Sequence, residues 1–421
     1  MLNVFNQSLW GDEAFSAILS MKPVPELIKI ISHDTSPPLF NLTEHFWFKI
    51  FGSGEIAIRV LVFIYFLIAV YFTYKIGEHL WDKKTGIIAA ALTFLNTFLF
   101  AYGFEGRMYS LLLATVTASF YFFIKKGWLG YIIATTLALY SHHFAIFAVF
   151  VQGLWFLKEF FWGERKEAVS ILKSFFAIAV LYSPWIIPLY QQTQMVQLGF
   201  WLGRPTSSDL WHLILEYGSL ALLLLIFRKW TKDFSKTIIL ILWFIVPVAA
   251  TWLLSQKLQS IFYDRYLLYT IPAVTLLAAS EMRKLGKILL AAILIIYLAS
   301  DYLYFTHPMK IPFRDLATYV KQTEVGGDFL INEDTGNHKL WESKYYGIPA
   351  PIYNPSGIPL PFFVGTALME PGDIINSLPK GVQRLGVITY KSAKDLKIQG
   401  YKSVSEKGFG SLNFVWMNKS K

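Results

Sequence analysis

The sequence contains no cysteine, so disulfides, cysteine-held metals and thiol nucleophiles are excluded, and nothing follows about redox compartment. It is also poor in charge. Only 16% of its 421 residues are Asp, Glu, Lys or Arg, where soluble domains carry about a quarter. What it has instead is apolar surface: 55% hydrophobic and 17% aromatic residues, with a mean hydropathy of +0.45. Lipid is the expected solvent for most of the chain. The net charge of +10 does not signal nucleic acid, because Lys and Arg fall in short clusters between apolar runs, as in membrane-protein loops.

Ten apolar runs approach the ~20 residues needed to cross a bilayer. They lie at 57–78, 86–103, 108–124, 128–142, 143–161, 168–189, 210–227, 237–255, 262–281 and 286–305. Alternate loops hold Lys83 and Lys84; Lys125 and Lys126; Lys158, Arg165 and Lys166; Arg228, Lys229, Lys232 and Lys236; Arg283, Lys284 and Lys287. The intervening loops hold only Arg107, Arg204, Lys257 and Arg265. This asymmetry assigns the first set to the cytoplasm. Residues 1–55, the 105–107 turn, the 190–209 loop, the Tyr263–Tyr266 corner and everything after 305 are then extracytoplasmic. Ionisable residues within the runs keep to their ends, as at Arg59, Glu216 and Asp301 outward and Lys75, Lys173 and Glu281 inward. A charge-free midplane counts against a pump or ion-coupled carrier.

After residue 306 the pattern changes. The stretch 313–323 reads as an amphipathic helix, 326–328 as a turn, 329–332 and 384–390 as strands, 392–398 as a helix, and 403–418 as a hairpin. The expected architecture is an all-α polytopic membrane domain over 1–305, with a first external loop at 1–55, followed by a small C-terminal α/β domain over 306–421.

Polar residues on the outer side gather in a few places. WGDEAFS (10–16) opens a helix-spaced stretch, so Asp12 and Glu13 point about 100° apart and cannot share one task equally. Acids in a first turn also complement the helix dipole. In HDTSPPLFN (33–41), Ser36 followed by Pro37 reads as a helix start. That leaves His33 and Asp34 without a structural purpose. FEGRMYS (104–110) puts Glu105 and Arg107 in a turn between two runs, suited either to mutual pairing at the surface or to a site. In YDRYLLYTIP (263–272), Arg265 opens a run from the outside; its planar fork suits a phosphate, while Asp264 offers an ordinary partner. Adjacent His142 and His143 are poor joint ligands for one ion.

The succession WGDEA (10–14), an acid ahead of PPL (37–39), EGRMY (105–109), SHHFA (141–145) and RYLL (265–268) resembles the GT-C superfamily, within it the dolichyl-phosphate-mannose protein mannosyltransferase and lipid A aminoarabinose transferase group. The similarity runs from Ser8 to Leu277 and continues loosely into FRDLATYVK and GGDFLIN. It implies a membrane transferase that takes a sugar from a polyprenyl-phosphate donor. By the same resemblance Asp12 and Glu13 match the catalytic acid pair, Asp34 the acid of the second external motif, Glu105 and Arg107 the charged turn near the donor phosphate, and Arg265 the arginine that holds it. His33, Tyr109, His142 and Tyr266 would complete the pocket. Two departures stand out. The family often has His where this chain has Ser36. It also places a span ahead of the acid pair, where nine residues precede Trp10; the expectation is that the natural start lies upstream.

A lipid-phosphate sugar is already activated, so the chemistry reduces to deprotonating an acceptor hydroxyl and stabilising the departing phosphate. The reading makes Asp12 the base and Arg107 and Arg265 the phosphate clamp, with inversion at the sugar. A divalent cation is an open cofactor, with Glu13, Asp34 and Glu105 as candidate ligands. The expected partners are the donor, membrane lipid and a protein, lipid or glycan acceptor. The alternative is a lipid-linked sugar flippase or transporter without transferase activity.

Overall fold

Backbone polar groups in lipid are satisfied within helices, and the longest apolar runs fold accordingly. The computed structural model describes residues 4–226, 234–306, 310–336 and 338–420. Among these, five helices have the length and apolarity of a span: Glu55–Leu80, Ala145–Trp162, Arg165–Gln197, Thr237–Ser255 and Lys287–Phe305. Tyr109–Ile124 and Trp128–Ser141 are apolar but shorter. The ten expected runs therefore do not become ten helices of full length. Run 86–103 breaks into Lys83–Phe94 and Thr97–Tyr102, because the Asn96 side chain accepts from the Leu99 N–H at 3.0 Å and starts a new helix. Run 262–281 divides into Asp264–Leu267, a 3-10 turn and Ile271–Met282, with Pro272 in the first turn of the last. Hydropathy averaged over a window does not register a break of one or two residues. The basic residues Arg228, Lys229 and Lys232 lie outside the described residues.

The chain forms two units. One comprises Met1–Ile30, Asn41–Ile58 and Phe305–Lys421; the other comprises Ile31–Phe40 and Arg59–Tyr304. The second unit is helical. Its core is aromatic, with the Phe120 and Trp243 rings stacked at 3.9 Å. Small residues let its backbones meet: a Cβ on Gly77 would fall 2.8 Å from the Gly86 Cα.

The first unit holds a six-stranded sheet, β1 (Phe329–Asn332), β2 (Ile352–Tyr353), β3 (Ile374–Ile375), β4 (Arg384–Thr389), β5 (Tyr401–Phe409) and β6 (Leu412–Lys419), in the order β3-β2-β1-β4-β6-β5. The β3-β2-β1-β4 portion is parallel and the β4-β6-β5 portion antiparallel. Phe313, Leu316, Ala317 and Val320 form the apolar stripe of helix Phe313–Thr323 and pack in one core with Leu330, Ile388, Phe414 and Trp416. A bulge between Ser403 and Ser405 interrupts β5 and leaves Val404 outside. The expected helix, strands and hairpin are present. The expected helix at 392–398 is not: Ser392 caps a turn, its carbonyl accepting from the Asp395 and Leu396 N–H groups. Leu396 and Ile398 both face the core, a spacing of two that a helix would turn to different sides.

The helix Gly11–Met21 and the helix Leu39–Phe51 from Asn41 onward fall in this sheet unit. Phe15 meets Trp341 edge-on at 5.3 Å, Leu9 N–H donates to the Tyr346 hydroxyl at 2.8 Å, and Arg314 pairs with Glu55 at 2.6 Å. Contacts across some three hundred residues of chain leave no local trace in sequence.

Candidate functional site

In the first unit, Asp12 and Glu13 occupy the first turn of helix Gly11–Met21 and have different surroundings. Glu13 is fully buried; its Oε2 accepts from the Trp10 N–H at 3.2 Å and pairs with Lys310 Nζ at 2.7 Å. It closes the helix start. Asp12 is half-buried. Glu342 lies beside this turn, its carboxylate 3.5 Å from where a Gly11 Cβ would stand and its Oε1 3.1 Å from Lys339 Nζ. Burial raises the Glu342 pKa, against the opposing pull of Lys339, and the Asp12 charge adds to the rise. Beneath, Ser20 donates to Glu44 at 2.7 Å, Asn41 donates to Ser20 at 3.0 Å, and His45 Nδ1 lies 2.8 Å from the Ser20 carbonyl. The sequence reading missed Glu342, Glu44 and His45. Only the last two had a signal, as a polar pair inside the apolar stretch 39–51. Asn41 is buried in this network.

In the second unit, six expected residues come together: Glu105, Arg107, Tyr109, His142, Arg265 and Tyr266. Arg265 is buried, with its guanidinium carbon 5.0 Å from the Tyr263 ring centre, 5.5 Å from Tyr109, 5.8 Å from Tyr266 and 6.0 Å from Trp201. These are cation–π distances. The His142 ring is 5.2 Å from Tyr266 and 6.3 Å from Tyr109, and both Arg107 and Arg265 act on it electrostatically. Glu105 and Arg265 both act on Tyr102, which stands edge-on to Tyr109 at 5.3 Å. The Phe144 N–H donates to His142 Nδ1 at 3.1 Å, which leaves the Nε2 side of a neutral ring as the proton carrier. Trp201 and Tyr263 were missed as walls of this cluster, although Tyr263 lies in the quoted stretch.

Asp34 is buried and His33 exposed, the latter's Nδ1 3.0 Å from the Ser32 hydroxyl. The helix after them begins at Leu39, not at Pro37. Ser36 is therefore not its cap; the Ser36 carbonyl is held instead by Gln192, at 3.2 Å. Among the described residues no three His, Cys, Asp or Glu side chains converge as a cation site. Of the three metal candidates, Glu13 is already engaged by Lys310 and the Trp10 N–H.

Residues 35–187 match the family model for dolichyl-phosphate-mannose-protein mannosyltransferase. The structure is similar to that of ArnT from Cupriavidus metallidurans in the apo state, with a TM-score of 0.69 and 12% identity over 99% of this chain and 95% of that one. The same protein bound to undecaprenyl phosphate gives 0.68 at the same identity and coverage. The chain therefore shares its fold with ArnT. The archaeal oligosaccharyltransferase AglB from Archaeoglobus fulgidus, solved with an inhibitory peptide and a dolichol-phosphate, matches at 0.51 and 13% identity over 90% of this chain and 66% of that one. Comparison with curated protein sequences gives no match. The stretch matched by the family model includes Glu105, Arg107 and His142 but neither Asp12 nor Arg265.

Proposed function

We propose that this GT-C chain is an integral membrane glycosyltransferase that moves a sugar from a polyprenyl-phosphate donor to a protein, lipid or glycan acceptor on the extracytoplasmic face of the cell membrane. The observation that carries this reading is the buried Arg265, walled by four aromatic rings and grouped with Arg107 and His142. Ring faces hold a guanidinium flat-on, whereas phosphate is bound along its N–H edge, so the two interactions do not compete. Arg265 and Arg107 then hold the donor phosphate and stabilise the negative charge that grows there as the sugar leaves. Glu105, Asp34 and His33 shape the pocket, with Tyr109, Tyr266 and His142 along its wall.

Asp12 acts as general base toward the acceptor hydroxyl, a contribution of about 10²–10⁴-fold. Glu13 fixes the helix end that presents it. A single displacement by the acceptor inverts the sugar's anomeric carbon. The half-burial of Asp12 beside the tied-down Glu13 supports this division of labour.

The test incubates purified full-length protein with radiolabelled polyprenyl-phosphate sugars and follows transfer or donor hydrolysis. The wild type is expected to cleave the sugar–phosphate bond, and Asp12→Asn to lose that activity while still binding donor. Full activity in Asp12→Asn removes the base assignment. Movement of intact donor across vesicles without bond cleavage would instead identify a flippase.

A further inference from the structure

We infer that Gln192 is a positioning residue that sets the turn carrying Asp34. The inference rests on the reading of Asp34 as part of the donor pocket. Gln192 sits midway along helix Ile186–Gln197, whose Ile187 and Tyr190 are exposed, while Gln192 itself is 1% exposed. Its Nε2 donates to the Ile31 carbonyl at 2.8 Å and to the Ser36 carbonyl at 3.2 Å. Its Oε1 lies 2.8 Å from His143 Nε2.

The chemistry fixes the direction of each bond. Carbonyls only accept, so the amide nitrogen must face residues 31 and 36, and Oε1 must face His143, whose Nε2 therefore carries a proton. Both amide hydrogens are used, one on each carbonyl.

The two carbonyls bracket residues 32–35, which adopt turns and bends rather than helix or strand. Inside the bracket, Asp34 is buried and its N–H reaches the Ile31 carbonyl at 3.1 Å. The Ser36 carbonyl, in irregular chain, takes its donor from Gln192, which also gives the Ile31 carbonyl a second donor beside the Asp34 N–H, so one side chain ties both ends of this turn. Through His143 the same amide is tied to the residue next to His142, which stands against Tyr266. Gln192 thus links the turn bearing the second acid to the turn bearing a wall residue of the arginine cluster.

The test uses the full chain with two readouts: hydrogen exchange at residues 32–36, and transfer from a radiolabelled polyprenyl-phosphate sugar. Gln192→Leu keeps the bulk and removes both donors; it should speed exchange at 32–36, leave the long helices unchanged, and slow transfer by on the order of 10²-fold, the scale of a misplaced site group. Gln192→Glu keeps an acceptor for His143 but turns oxygen on the carbonyls, and should lose as much. In an Asp34→Asn background Gln192→Leu should cost nothing more, since residues acting through one group are not additive. Losses that multiply in the double variant, or unchanged exchange at 32–36, overturn the inference. Wild-type transfer by Asp34→Asn would overturn the pocket role of Asp34 and with it any catalytic purpose for Gln192. Should the wild type transfer none of the sugars, the exchange readout alone decides whether the clasp exists. If Gln192→Leu fails to fold, His143→Phe removes only the orienting donor and carries both readouts with a smaller effect.

Discussion

Two kinds of surroundings for buried charge stand out, one in each unit. In the sheet unit acids are matched with bases: Glu13 with Lys310, Glu342 with Lys339, Glu55 with Arg314, and Asp373 with Lys344. In the helical unit Arg265 is framed by the faces of four rings. Pairing within the chain cancels charge and fixes shape; framing by rings keeps a positive centre in a dry wall while its edge stays directed by geometry.

The sharpest way to break this contrast is Arg265→Lys. A lysine keeps the charge but loses the planar fork, so transfer should fall about 10²–10³-fold, the scale for removing one donor aimed at developing charge. The loss should appear in kcat, with a raised KM for the lipid donor beside it, in steady-state assays; no change in either would mean the rings hold Arg265 for packing alone.

Next is acid sensitivity in the sheet unit. Burial, helped by Lys339, depresses His338 to about 4. Between its ordinary value of about 6.5 and that depressed value, the unfolded chain binds the proton and the folded chain does not. The stability His338 contributes is thus complete above the upper value and is lost as pH falls toward the lower one, on the order of 3 kcal/mol. Melting followed by Trp fluorescence should show the fall, since Trp341 neighbours His338, and His338→Gln should flatten it.

A smaller effect belongs to Glu13→Gln. The amide still accepts from the Trp10 N–H but leaves Lys310 without its counter-charge, which should cost about 1–3 kcal/mol of stability. Donor KM should not move. A change in KM without a change in melting would make Glu13 a binding residue and erase the distinction between it and Asp12.

Much of this was readable in one dimension. Apolar run lengths marked the helices, and a short apolar run and a glycine turn marked β4 and the β5–β6 hairpin. The charged turn at 105–107 and the corner at 263–266 were recognisable because charge at a span's outer end has a cost that packing alone does not explain. What stayed hidden depends on distant chain. Gln192 looks like any polar residue in Gln-Gln-Thr, and only the fold delivers Ile31 and Ser36 to it. Glu342 in LWESKY reads as a solvated helix acid, yet it is buried. Ser36 misled for a local reason: Ser-Pro is a common helix start, but here its carbonyl was claimed by Gln192 and the helix began at Leu39.

One detail of the sheet carries a consequence of its own. β5 is its terminal strand, and the irregularity between Ser403 and Ser405 falls midway along it, flanked by Lys402 and Lys407. A kinked, positively charged margin offers no straight ladder for a stranger's backbone to zip onto. Molecules crowded at high density in one bilayer are in this way spared polymerisation through their own open edge.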